Sequence, residues 1–146
     1  MLICEMTSYY KAQGKTLTSV LESLYEQCGY YLGALASYIF NGSEGNEHIA
    51  SVMAKLRVDE KAALEGVSVF TDYREMGTGL LQSDVRKYCL SDDFWVAMRP
   101  SGTERKLKIY YSVYESAGSG IPDKQQSECK LNRLRATIKN TVAPGC

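Results

Sequence analysis

The chain has 146 residues, 45% of them hydrophobic and 23% charged, which suits one ordinary domain, or one small domain with an appendage, and allows a real core. Lys plus Arg and Asp plus Glu both number 17. A net charge of zero argues against non-specific binding to nucleic acid or to an acidic membrane, so neither is expected as a partner. No apolar run approaches the roughly 20 residues of a membrane helix, and MLICEMTSYYKAQ has neither the basic nor the apolar region of a signal peptide.

That opening stretch reads as the middle of a helix with no cap before it, which predicts a piece cut from something longer. Residues 2–13 and 16–28 are predicted as two helices broken at Gly14. In the second, Leu17, Val20, Leu21, Leu24 and Cys28 keep helical spacing, with Thr16 as N-cap and Gly29 as the terminator. A tyrosine-rich segment follows, most strand-like from Leu35 to Phe40, and Asn41-Gly42-Ser43 turns the chain into a third helix. There Ile49, Val52, Met53 and Leu56 form the apolar stripe, with Ser43 as the expected cap.

The period then changes. Residues 67–71, 85–90 and 94–99 read as short strands, the last two joined by a Ser91-Asp92-Asp93 turn. Leu107, Ile109, Tyr111 and Val113 alternate with Lys106, Lys108 and Tyr110 in a further strand. A Gly/Ser/Pro loop from Ser116 to Pro122 leads to a helix of about Asp123–Thr141 that buries Leu131, Leu134 and Ile138. The predicted class is α+β: a small antiparallel sheet of about four strands flanked by helices, with two leading helices (residues 1–31) as an appendage to residues 32–146.

Cys4, Cys28, Cys89, Cys129 and Cys146 form no C-x-x-C pair and have no histidine companions, which fits neither a zinc site nor a disulfide framework. Free thiols predict a reducing cytoplasm, with Cys28 and Cys89 as core residues by their apolar surroundings. His48 falls on the polar side of its helix, Asp92 and Asp93 read as turn formers, and the tyrosine pairs and Trp95 read as packing.

One stretch asks for more than packing. MRPSGTERKLKIYYSV, residues 98–113, gathers Arg99, Arg105, Lys106 and Lys108 around Ser101, Gly102 and Thr103, against the single acid Glu104. Arginine offers a planar fork matched to two phosphate oxygens, and the hydroxyls are short, low-entropy donors. Pro100 stiffens the loop, and a positive φ at Gly102 would turn successive N–H groups into an anion-binding nest. The bland alternative is a solvated hairpin beside a basic edge strand. A nucleotide phosphate loop is excluded, since G-x-x-x-x-G-K-[ST] is absent and a strand follows instead of a helix.

RPSGTERKLKIYY resembles the phosphate-binding loop of the α-D-phosphohexomutases, the phosphoglucomutase and phosphomannomutase family. Its Glu104-Arg105-Lys106 departs from the usual Glu-Pro-Lys. ICEMTSYYKAQGKTLTSVLESLYEQCGYY resembles the end of the family's third domain, and EGNEHIASVMAKLR the first helix of its fourth, whose fold is like that of the TATA-box-binding protein.

The resemblance implies a four-domain cytoplasmic enzyme that moves a phosphoryl group between the 1- and 6-positions of a hexose. A phosphoserine in the first domain, a Mg²⁺-holding aspartate loop in the second and a sugar-reading glutamate loop in the third would lie outside this sequence. No cofactor is therefore expected within this chain, and its partners would be the missing domains, the phosphosugar and its bisphosphate intermediate. The fourth-domain loop would grip the non-reacting phosphate through Arg99, Ser101, Gly102 and Thr103, with Lys108 completing the site, and the piece alone would be inactive. The alternative expectation is a stand-alone anion-binding module.

Overall fold

The structure, a computed structural model, describes residues 1–42, 44–58, 66–75, 81–90, 94–117 and 123–142. Helices α1 (Leu2–Ala12) and α2 (Leu17–Cys28) come first. Strand β1 (Tyr30–Ile39) and helix α3 (Gly45–Val58) follow. Strands β2 (Val67–Asp72), β3 (Arg86–Leu90), β4 (Trp95–Pro100) and β5 (Lys106–Glu115) precede the last helix, α4 (Lys124–Val142). The class is α+β, as the change of hydrophobic period predicts.

The sheet is antiparallel in the order β1-β5-β4-β3-β2, so it has five strands where about four are expected. The additional strand comes from the tyrosine-rich run. YYLGALASYI is a ten-residue strand paired along its whole length with β5, and it starts at Tyr30, ahead of the expected boundary at 31/32.

Alternation on β5 divides the molecule. Leu107, Ile109, Tyr111 and Val113 are all buried and meet Val96 and Met98 of β4 and Tyr88 of β3. Helices α3 and α4 lay Ile49, Val52, Met53 and Leu56, and Leu131, Leu134, Ile138 and Val142, on that same face. Burial, with Tyr38 beside it, pushes the Tyr111 hydroxyl far above its ordinary pKa, so it stays neutral in the core. The opposite face, with Tyr31, Leu35, Ile39 and Arg99, is exposed.

Helix ends follow local chemistry. Thr16 caps α2 in a reciprocal box with Ser19: each side chain accepts the other's backbone N–H at 3.1 Å. Asp123 caps α4 by accepting from the N–H groups of Gln125 and Gln126 at 2.9 and 3.2 Å. Neither α1 nor α2 buries a residue. Cys28 is consequently exposed and Cys89 half-buried on the open face, against the expectation that both are core. The expected Ser43 cap, the Ser91–Asp93 turn and the end of the Ser116–Pro122 loop lie outside the described residues. No helix is long and apolar enough to cross a membrane among the described residues.

Candidate functional site

The β4–β5 hairpin carries the basic turn. Pairing puts Arg99 directly opposite Lys108, with Ser37 of β1 on the far side of Lys108. Both side chains belong to the open face, because their neighbours Met98, Leu107 and Ile109 point into the core. Directly opposed Cα atoms in an antiparallel pair lie about 4.5–5.5 Å apart, and like charges there repel.

The other two cations of the turn are engaged. Lys106 Nζ lies 3.0 Å from Glu104 Oε1, and Arg105 Nη1 donates to the Gly42 carbonyl at 2.7 Å, tying the hairpin to the turn before α3. Arg99 and Lys108 have no such partner among the described residues.

The loop is closed differently from the expected nest. Ser101 N–H donates to the Lys106 carbonyl at 2.8 Å, and Lys106 N–H to that of Glu104 at 2.7 Å. The Ser101 amide is therefore committed to the hairpin. Gly102 is not among the described glycines with positive φ, which are Gly14, Gly29, Gly42 and Gly66. What remains for an anion are the hydroxyls of Ser101 and Thr103 and the amides of Gly102, Thr103 and Glu104, which have no backbone acceptor among the described residues.

On its helical side the loop walls a cavity of about 380 Å³. Ser101 to Arg105 form one side, Asn46 and Ile49 of α3's first turns another, and Asp84 a third. Arg99 and Lys108 do not line it. The structure thus brings Arg99 and Lys108 together on the open face and sets Ser101, Gly102 and Thr103 between that face and the cavity.

Behind Asp84 stands an ionic cluster that motif reading missed. Arg57 of α3 donates Nε to Asp72 Oδ2 at 2.6 Å and Nη2 to Asp84 Oδ1 at 2.5 Å. Arg74 Nη2 donates to Asp84 Oδ2 at 2.8 Å, and Arg86 Nη1 lies 3.8 Å from Asp72. Burial pushes Asp72 up, but its bonds from Arg57 and the Arg74 N–H outweigh that and hold its carboxyl below the ordinary value. Burial would lower Arg57, yet Asp72 and Asp84 raise it instead. The available signal was Arg86, a cation in the inward register of a strand with Tyr88, which demands a buried partner. His48 is exposed with its ring 4.7 Å from Phe40, and no group of three His, Cys, Asp or Glu able to hold a metal occurs among the described residues.

No family model matches the sequence. A phosphoglucomutase of Staphylococcus haemolyticus is 34% identical over 125 residues, covering 77% of this chain and 23% of the relative. One of Staphylococcus aureus is 32% identical over 124 residues, with 77% and 22% covered. Among solved structures, the phosphoglucomutase parafusin of Paramecium in its open form matches 90% of this chain and 24% of its own, with a TM-score of 0.55 and 15% identity, which is a likeness of fold. The chain spans about a quarter of the length of these proteins. Over the matched residues, the chain is similar to these phosphoglucomutases.

Proposed function

We propose that this chain is the C-terminal substrate-phosphate grip of a phosphoglucomutase- or phosphomannomutase-type enzyme, an intramolecular phosphotransferase of the cytoplasm acting on sugar 1- and 6-phosphates. One observation carries the reading. Arg99 and Lys108 are held side by side on an exposed face, unneutralised among the described residues, beside free hydroxyls and amides of the same hairpin. A pair of like charges costs stability until a dianion sits between them. Arg99 would supply the two-pronged contact, Lys108 a point charge, and Ser101, Gly102 and Thr103 the donors that fix orientation.

The phosphoserine and Mg²⁺ that the family resemblance implies would be supplied by segments outside this sequence. Among the described residues no group of three His, Cys, Asp or Glu able to hold a metal occurs. The chain's own residues bind and orient one phosphate while chemistry proceeds at the other end of the sugar, and the piece alone turns nothing over.

Titration with inorganic phosphate and with glucose 1-phosphate, followed by NMR, tests this. Shifts are expected at the amides of Gly102 to Glu104. Arg99→Ala should weaken binding roughly tenfold to a hundredfold, from a charge-assisted contact of roughly 1.5–3 kcal/mol. Arg99→Lys should recover only part, because a point charge cannot replace the fork. Binding unchanged in Arg99→Ala would leave the hairpin a basic turn without a ligand.

A further inference from the structure

We propose that β1 is a pairing edge through which two copies of this chain join their sheets, antiparallel about Leu35. The strand order leaves one side of β1 open, and its outward backbone groups make no backbone hydrogen bond among the described residues. Edge strands are normally guarded by charge, proline, shortness or a bulge. β2, at the opposite edge, is six residues long with a register shift between Val67 and Val69. β1 has ten residues in unbroken register with β5, and YYLGALASYI contains no charge and no proline.

The occupant follows from the order of side chains. Turned about Leu35, the strand opposes its own copy like with like. On the open face Tyr31 meets Ile39, Gly33 meets Ser37, and Leu35 meets Leu35. On the core face Leu32 meets Tyr38, and Ala34 meets Ala36. Large residues oppose large and small oppose small, and aromatic against β-branched is a favourable cross-strand pair. Tyr31, Leu35 and Ile39 are 65%, 51% and 60% exposed, and the pairing covers all three at once. Leu32, Ala34, Ala36 and Tyr38 already lean on the core as its half-buried rim, which a second copy extends.

Tyr25 of α2 meets Tyr30 edge-to-face at 4.9 Å, and Lys124 of α4 lies over both rings, which keeps α2 on the helical side of the sheet. A two-fold axis through Leu35 closes the assembly at two copies. Both open faces then look the same way, each with its Arg99–Lys108 pair.

Molar mass of the 146-residue chain by light scattering across a concentration series tests this, with doubling expected as concentration rises. Leu35→Lys and Leu35→Glu should each stay monomeric, with association weakened at least about tenfold by like charges on the axis, while an equimolar mixture should recover the doubled mass. Circular dichroism checks that both variants fold, as an exposed position permits. Should either unfold, Gly33→Lys offers a second route, since a Cβ there meets nothing within 4 Å. Combined with Ser37→Glu it should preserve the dimer, and combined with Ser37→Lys abolish it. A parent that is monomeric at every concentration overturns the proposal. So does a Leu35→Lys protein that keeps the parent's mass, which would move the interface to the exposed Leu21 and Leu24 of α2.

Discussion

Arg57 shows what a single side chain does here. It joins α3 to both the end of β2 and the wall of the cavity, through Asp72 and Asp84. Arg57→Ala leaves Asp72, whose side chain is 6% exposed, short of its main partner and should cost about 2 kcal/mol at neutral pH. The sign of the pH effect follows from Asp72. Its folded pKa is depressed, so the stabilisation is fully present above the unfolded value of about 4 and is lost as pH falls through the lower folded value. Urea unfolding should therefore separate parent and Arg57→Ala clearly at pH 7 and bring them together toward pH 2. A gap that persists unchanged in acid would show that packing, not the ion pair, is what Arg57 provides. The sequence displayed Arg99, Ser101, Thr103 and Lys108 because they sit in one ordered motif. Arg57, Asp72, Asp84 and Arg86 carry no mutual spacing, so only the fold brings them together. The nest expected at Gly102 fails for a local reason: the hairpin takes the Ser101 amide for itself.

At the scale of elements, the join between α2 and β1 rests on Gly29. Its φ of 83° and ψ of 172° lie in a region almost confined to glycine. A Cβ there would come within 2.5 Å of the Tyr114 ring and 2.6 Å of the Glu115 carbonyl oxygen. Gly29→Ala should destabilise the protein by about 1–3 kcal/mol, read as a lowered thermal midpoint, whereas Gly14→Ala, in open space, should cost only its φ strain. Equal effects at the two sites would mean that Tyr114 yields freely. The terminating role of Gly29 was legible, as were the apolar stripes of α3 and α4 and the alternation of β5, because each is a local pattern with one period. β1 was legible only in its second half. Gly33 and the alanines weaken the strand signal, and its identity comes from a partner far along the chain.

For the whole molecule, sheet order matters more than sheet content. β3, β4 and β5 are a meander joined by short connections, and the Arg99–Lys108 pair belongs to its last hairpin. The sequence therefore carries the candidate site in a nearly self-contained stretch, while the placement of β1 beside β5 is not readable from any window. Tyr30 pairs with Glu115 and Ile39 with Lys106, contacts that enclose almost the entire sheet-forming chain. Their closure entropy must be met before any of those contacts forms. The expected order of events in folding is that the meander assembles first and β1 docks last. Leu32→Ala should accordingly speed unfolding in stopped-flow chevrons with little change in the folding rate, whereas Val96→Ala should slow folding. Equal slowing by both would place β1 in the nucleus. During synthesis β1 leaves the ribosome long before β5 exists, uncharged on both flanks. In that interval its edges are open to another nascent copy as well as to its own later strands, which makes crowded translation a condition that favours misassembly.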